Sequence, residues 1–281
     1  MIWASATKTL DLSSRAVIMG ILNATPDSFS DGGKYLDPEK ACQHALSMIA
    51  AGAEIIDIGG ESTRPGADSV SPEEEIRRVI PVIQCLRRHW QGWISIDTTK
   101  SSVAAHALAA GADIVNDISG LDADAKMPEV CREAKCAVVV MHRQGTPATM
   151  QMNPLYDNVV DEIRSYFQAK YSQLCTLGLS PSQLCFDPGI GFGKSVEHNW
   201  QIIKNLAAFH IADRPVLLGA SRKSFIAKTI GTNLLSARSW PSVALTAFGR
   251  SNGVMIHRVH EIRENLEAIR MIEAIQNYQP S

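Results

Sequence analysis

Eight times along this chain a short apolar run ends in a polar, chemically capable residue, and the hydrophobic period then switches from that of a strand to that of a helix. The runs are 17–22, ending at Asn23; 55–58, leading to Glu61; 93–96, ending at Asp97; and 114–115, ending at Asn116 and Asp117. They continue with 137–141, ending at His142; 184–186, ending at Asp187; 216–218, followed by Ser221, Arg222 and Lys223; and 254–256, followed by His257, Arg258 and His260. Alternating strands and helices build a parallel sheet. Eight such units close into a (β/α)8 TIM barrel, with every polar strand end around one mouth. The chain therefore reads as a single α/β domain of residues 1–281, the barrel proper at about 16–277. Residues 1–15 are expected to form a short hairpin plugging the barrel bottom.

Local signals agree with this frame. Ala50-Ala51-Gly52-Ala53-Glu54-Ile55-Ile56-Asp57 is echoed by Ala109-Ala110-Gly111-Ala112-Asp113-Ile114-Val115-Asn116, and Asn252-Gly253-Val254-Met255-Ile256 is a weaker third copy. Each reads as a helix closed by glycine in a left-handed turn and followed by a buried strand. Such tight loops belong on the face opposite the chemistry. Asp37-Pro38 opens a helix to residue 51, and Ser71-Pro72-Glu73-Glu74 caps another, with Glu73–Arg77 and Glu74–Arg78 pairs on its solvated face. Further helices are predicted at 100–110, 123–134, 155–177, 196–207, 222–230, 237–251 and 261–277. The loops 24–36 and 59–70 are long and rich in Gly, Ser and Asp, which on the mouth side reads as lids or substrate clamps.

Composition excludes several classes of function. The net charge of −2 gives no electrostatic basis for binding nucleic acid or an anionic membrane, so any anion site must be local. No apolar run approaches the roughly 20 residues that span a bilayer. The first twelve residues lack a signal peptide's basic start and apolar stretch. The six cysteines form no CxxC pair and read as reduced, mostly buried thiols, which places the chain in the cytoplasm.

Two clusters of strand-end residues carry the chemistry. Asp97, Asn116 and Asp187 offer carboxylates and a carboxamide in an apolar cup, suited to a flat heterocycle with adjacent N–H and NH₂ donors. Met141 and Phe192 are placed to line its faces. The second cluster is cationic: Ser221-Arg222-Lys223-Ser224 follows the seventh strand and Arg258-Val259-His260 the eighth, where barrels bind phosphate or pyrophosphate. A salt-bridged surface is a plausible alternative for Arg222 but a poor one for Arg258 and His260 beside an apolar strand. Asn23, with a ligand's phosphate oxygens, could hold Mg²⁺. The loop Asp187-Pro188-Gly189-Ile190-Gly191-Phe192-Gly193-Lys194-Ser195 imitates a nucleotide-binding P-loop, but proline stands where its first glycine is needed. No zinc-ligand spacing and no nucleophile–base pair stands out.

These motifs resemble dihydropteroate synthases. Asn23-Ala24-Thr25-Pro26-Asp27-Ser28-Phe29-Ser30-Asp31-Gly32-Gly33 is similar to that family's first motif, and Asp57-Ile58-Gly59-Gly60-Glu61-Ser62-Thr63-Arg64-Pro65-Gly66 to its second. Ile94-Ser95-Ile96-Asp97-Thr98, Asn116-Asp117-Ile118-Ser119-Gly120, Met141-His142, the Asp187–Lys194 loop, Ser221-Arg222-Lys223-Ser224 and Arg258-Val259-His260 follow in the family's order. The resemblance implies an enzyme of folate synthesis that joins p-aminobenzoate to a hydroxymethyl-dihydropterin pyrophosphate, releasing pyrophosphate by a dissociative substitution. It implies that Asp97, Asn116, Ile118, Met141, Asp187, Phe192, Gly219 and Lys223 hold the pterin. By the same resemblance, Asn23, Arg258, Val259 and His260 take the pyrophosphate, with Asn23 on Mg²⁺, and Phe29, Thr63, Arg64, Pro65 and Ser221 frame the aminobenzoate pocket. It implies as well that Asp97, Asp187, Lys223, Arg258 and His260 carry the reaction. A homodimer through the last helices and inhibition by sulfonamides are also implied. Three departures stand out: Ser239-Trp240-Pro241-Ser242 for a Gly-Ser pair, Glu261 for an aspartate, and Arg143 for an uncharged residue. A methyl-folate:corrinoid methyltransferase would share the pterin cup, but it has no use for the Asn23 loop or the basic turns. A catalytically dead pterin-binding module would be expected to have lost Lys223, Asp187 or Arg258.

Overall fold

In the computed structural model, which describes residues 1–25, 37–62, 69–145, 150 and 154–279, the apolar runs become a parallel barrel. A two-stranded antiparallel hairpin, β1 (Ile2–Ala4) and β2 (Thr9–Asp11), precedes it. The barrel strands are β3 (Val17–Asn23), β4 (Ile55–Gly59), β5 (Trp93–Asp97), β6 (Ile114–Asp117), β7 (Ala137–Met141), β8 (Leu184–Asp187), β9 (Leu217–Leu218) and β10 (Ile256–Val259). Their spatial order is β8-β7-β6-β5-β4-β3-β10-β9, and a parallel bridge between Phe186 and Val216 joins the two ends. The Phe186 amide donates to the Pro215 carbonyl at 3.0 Å across that seam.

The composition of these strands explains their placement. Ala-Val-Val-Val-Met of β7 and Ile-Ile-Asp-Ile-Gly of β4 are buried at every position. Helices cover the outer face and side chains fill the inner one, so β-branched residues are favoured on both. The covering helices are α1 (Pro38–Ala50), α2 (Pro72–His89), α3 (Ser101–Ala109), α4 (Met127–Ala134), α5 (Val159–Thr176), α6 (Val196–Lys204), α7 (Ser224–Ile230), α8 (Ser239–Ser251) and α9 (Ile262–Asn277). No helix among the described residues is long and apolar enough to cross a membrane.

The capping signals act as their residue types dictate. Asp37 accepts from the Glu39 and Lys40 amides at 3.0 and 3.2 Å, and Ser71 from the Glu74 amide at 3.3 Å. Losing such a cap costs about 1 kcal/mol. Gly52, Gly111 and Gly253 have φ of +109°, +112° and +88°, the left-handed closures expected of the repeated helix–strand turns. The hairpin plugs the bottom: Trp3 is fully buried, donates to the Gln183 carbonyl at 2.7 Å and stacks on Trp93 at 6.1 Å.

Some boundaries move. The last strand lies at Ile256–Val259 rather than at 254–256, because the Val254 amide still bonds back to Gly249 while Ile256 and Arg258 register against Val17 and Met19. His257, Arg258 and Val259 are thus strand residues. The helix expected from 222 begins at Ser224, since Arg222 sits at φ +56°, outside helical space. Helices expected from 123 and 155 start at Met127 and Val159, the latter capped by Asn158. Arg77 pairs with Glu74 rather than Glu73, so both arginines converge on one carboxylate.

Candidate active site

Parallel register gathers the polar strand ends. Asn23 pairs with Gly59, Gly59 with Asp97, and Asp97 with Asn116, one step per strand across β3 to β6. Asp187, at the end of β8, aligns with Met141 of β7. Asp97 is almost buried, and Asn116 and Asp187 are buried. Carboxylates taken this far from water need partners.

Arg258 supplies two. Its Nε donates to Asp57 Oδ2 at 2.6 Å and its Nη2 to Asp97 Oδ2 at 2.7 Å. Asn116 Nδ2 also donates to Asp57 Oδ2, at 3.1 Å. Burial pushes the Asp97 carboxyl up to about 7; Arg258 pulls it down, while Asp57, Glu75 and Asp117 push it further up. Burial disfavours charge on Arg258, but Asp57 and Asp97 more than reverse this and hold it firmly cationic.

Asp187 is fixed by its own loop, its Oδ1 accepting from the Gly189 amide at 2.7 Å. Gly189 has φ +68°, and a Cβ there would lie 1.9 Å from the His142 carbonyl oxygen, so only glycine fits. Burial raises the Asp187 pKa against the pull of Lys223 and the Gly189 amide. Lys223 donates to the Ile190 carbonyl, and its Nζ stands 4.4 Å from the centre of the Phe192 ring. Burial lowers it to about 8 despite the charge on Asp187. Gly219 leaves the floor open: a Cβ would meet Asp187 Oδ2 at 3.7 Å and Arg258 at 3.9 Å. Asp187 and Arg258 thus flank the same glycine, which sets the acidic cup beside the basic strand. Met141 and Ile118 are buried at the ends of β7 and β6.

The neighbouring basic turn is equally well defined. Ser221 Oγ lies 2.9 Å from His260 Nδ1 and accepts from the His260 amide at 3.3 Å, so these two residues form one corner. Val259 is buried in β10 between Arg258 and His260. Arg222 turns away to Glu261 at 2.6 Å, the salt-bridged alternative, and Ser239 donates to the same oxygen at 2.6 Å. Two of the sequence departures therefore form one structural contact. Arg143 is half-buried, and its charge lowers the Asp117 pKa against a larger effect of burial.

The Gly-rich loop is not a phosphate cradle. Its amides are used within the protein, Gly189 on Asp187 and Gly191 on Asn199 Oδ1 at 2.7 Å. Lys194 is buried, donates to the Phe192 and His142 carbonyls at 2.9 and 3.3 Å, and lies 3.1 Å from His142 Nδ1. Burial lowers Lys194 to about 7 and His142 to about 3.

Asn23 is exposed at the end of β3, and the described residues contain no group of three or more His, Cys, Asp or Glu able to hold a metal. One hard amide oxygen at an open mouth fits a Mg²⁺ whose other ligands are phosphate oxygens and water. Phe29, Thr63, Arg64 and Pro65 lie outside the described residues.

Sequence reasoning overlooked Asp57, the one polar side chain inside the apolar run of β4. It also overlooked a half-buried triad, in which Lys100 Nζ donates to Glu61 and to the fully buried Glu75 at 2.5 Å each. Asp57 could have been found as a charge at an interior position, whereas nothing in the spacing of Lys100, Glu61 and Glu75 announces the triad.

An acidic cup for a nitrogen-rich ring, with the Arg258 guanidinium and a serine–imidazole corner beside it at the C-terminal mouth of a parallel barrel, defines a pterin-binding enzyme. The family model for pterin binding enzymes matches residues 19–260. The dihydropteroate synthase of Escherichia coli K12 is 45% identical over 266 residues, covering 95% of this chain and 93% of that protein. That of Synechocystis is 42% identical, covering 94% and 92%. Among solved structures, a Yersinia pestis dihydropteroate synthase with a sulfonamide drug complex superposes with a TM-score of 0.92 at 41% identity, covering 99% and 100%. A Xanthomonas albilineans enzyme in complex with 7,8-dihydropteroate gives 0.89 at 34%, again covering 99% and 100%. The chain belongs to the dihydropteroate synthase family.

Proposed function

We propose that this chain condenses 6-hydroxymethyl-7,8-dihydropterin pyrophosphate with p-aminobenzoate, giving 7,8-dihydropteroate and pyrophosphate. The observation that carries the reading is the adjacency of Asp187 and Arg258, both within 4 Å of the Cβ position at Gly219. Asp97, Asn116 and Asp187 accept hydrogen bonds from the ring's N–H groups, and Lys223 donates to the ring over Phe192. Arg258, His260 and the backbone at Val259 take the diphosphate. Ser221, with Phe29, Thr63, Arg64 and Pro65, frames the aminobenzoate.

The reaction proposed is a dissociative substitution. The bond between the pterin methylene and the diphosphate oxygen breaks, and its electron pair leaves with the diphosphate. Arg258 and His260 stabilise that charge as it forms. The ring, gripped by anionic Asp97 and Asp187, stabilises the cationic carbon left behind. The aryl amine lone pair then forms the new C–N bond, and the nitrogen's proton passes to solvent or to the diphosphate. No dedicated base is required. When bound, Mg²⁺ neutralises part of the diphosphate charge, and Asn23 would hold it.

We further propose a homodimer through α8 and α9, supported by the exposed Trp240, Phe248, Met271 and Ile275 on those helices. A cytoplasmic enzyme is supported by six free cysteines. The decisive assay is pyrophosphate release. The reading expects release only with both substrates and its loss on adding a sulfonamide; release without p-aminobenzoate, or none at all, contradicts it.

A further inference from the structure

We propose that Asp57 is the positioning residue that joins the ring-binding cup to the anion clamp; this deepens the reading above and rests on it. Asp57 is fully buried midway along β4 and is registered between Ile21 and Ser95, in a strand otherwise free of polar side chains. A lone carboxylate in an apolar strand is costly unless it is paired. Both of its partners are residues assigned to ligand. Its Oδ2 accepts from Asn116 Nδ2 at 3.1 Å and from Arg258 Nε at 2.6 Å. Among the described residues its Oδ1 has no hydrogen-bond partner, so the function of the carboxylate is concentrated in that shared oxygen.

Each bond settles an ambiguity in a neighbouring subsite. A carboxamide can present either its oxygen or its NH₂, and nothing intrinsic to asparagine chooses. An anionic carboxylate accepts only, so Asp57 holds the NH₂ end of Asn116 and leaves the oxygen for a ring N–H. Arg258 is a long, flexible side chain whose Nη2 bonds to Asp97, the carboxylate that the ring requires. With Nε fastened to Asp57 and Nη2 to Asp97, the rigid planar guanidinium is held in one orientation, and the N–H groups those two bonds do not use are left for a diphosphate. One buried oxygen thus orients an acceptor for the ring and a donor for the anion, and it touches neither ligand.

The test uses the full-length chain with two separate probes, 6-hydroxymethylpterin for the cup and inorganic pyrophosphate for the clamp. Asp57→Asn keeps the size and removes the charge; its amide restores the ambiguity at Asn116 and weakens the hold on Arg258. The expected result is a loss of roughly tenfold or more in affinity for each probe. A general loosening of the fold would also weaken both, so the partner backgrounds decide. In Arg258→Lys the effect of Asp57→Asn on pyrophosphate shrinks to about twofold, and in Asn116→Ala its effect on the pterin does the same. Losses that persist undiminished in those backgrounds, or a loss on one probe alone, overturn the proposal. Should Asp57→Asn not fold, the cycle between Asn116→Ala and Arg258→Lys replaces it, read on kcat/KM: non-additivity supports the link and additivity overturns it. A wild-type chain that binds neither probe overturns the functional reading itself.

Discussion

At the bottom of the barrel Asp113 accepts from Lys8 Nζ at 2.8 Å, Arg87 Nη2 at 2.6 Å and the Ile94 amide at 3.0 Å. At the mouth, Asp57 and Asp97 share the single guanidinium of Arg258. The ingredients are the same, but the accounting differs. Around Asp113 the remaining donors are also used, Arg87 on the Trp90, Gly92 and Gly111 carbonyls and Lys8 on the Gly92 carbonyl. A cleft of about 620 Å³ opens beside them, lined by Lys8, Arg87 and Asp113, yet its charges are spent on one another. The mouth crowds Asp57, Asp97 and Asp187 around one guanidinium, and Asp187 is held by a single backbone amide among the described residues. The bottom is built to stay closed and the mouth to be completed by a ligand. Depth of a cleft is therefore a poorer guide to function here than unspent hydrogen-bonding capacity.

That contrast fails if mouth and bottom substitutions behave alike. The largest effect is expected from Arg258→Ala, which leaves two buried carboxylates unpaired and removes the anion's partner. Steady-state kinetics should show kcat/KM falling by about 2–5 kcal/mol in transition-state terms, and near-normal turnover would remove Arg258 from the mechanism. Next comes Gly189→Ala, whose Cβ collides with the His142 carbonyl in a left-handed turn. Strain of about 1–3 kcal/mol should displace the Asp187 loop, read as weakened pterin binding in a titration. Asp113→Ala sharpens the comparison from the other end. It should cost about 2–3 kcal/mol of stability, seen as a lower Tm, with kcat and KM near wild type.

The smallest effect is in pH. The Asp97 carboxyl, raised to about 7 by burial against the pull of Arg258, is needed as an anion by the ring. Pterin affinity should therefore rise with pH through about 7, and this limb should vanish in Asp97→Asn. Stability has the opposite sign. Between the ordinary aspartate value of 3.8 and about 7 the folded protein binds the extra proton, so Asp97's contribution falls as pH rises through that window. Thermal unfolding of wild type and Asp97→Asn across that range measures the difference.

Much of this was legible in the chain. The apolar runs reported strands, and the polar residue closing each run reported the mouth, because parallel strands all point the same way. That rule placed Asp97, Asn116, Asp187, Lys223 and Arg258 at or near the ends of their strands, where the structure has them. Register is not written in the runs, which is why the last strand slid to Ile256–Val259 and took Arg258 into the ladder. Asp57 was masked by its apolar neighbours, and the Lys100–Glu61–Glu75 triad by sequence separation, since each is set by contacts across strands and helices rather than along one. Arg222 showed the reverse case, a cation in a basic motif whose partner, Glu261, comes from the next strand's end.

The most direct measurement is calorimetric titration of 6-hydroxymethyl-7,8-dihydropterin pyrophosphate into Asp187→Asn and Asp113→Asn side by side. Asp187→Asn should weaken binding by about tenfold or more, and Asp113→Asn should bind like wild type while melting earlier. Equal affinity in all three proteins, or a loss confined to Asp113→Asn, would contradict a ligand held at the mouth.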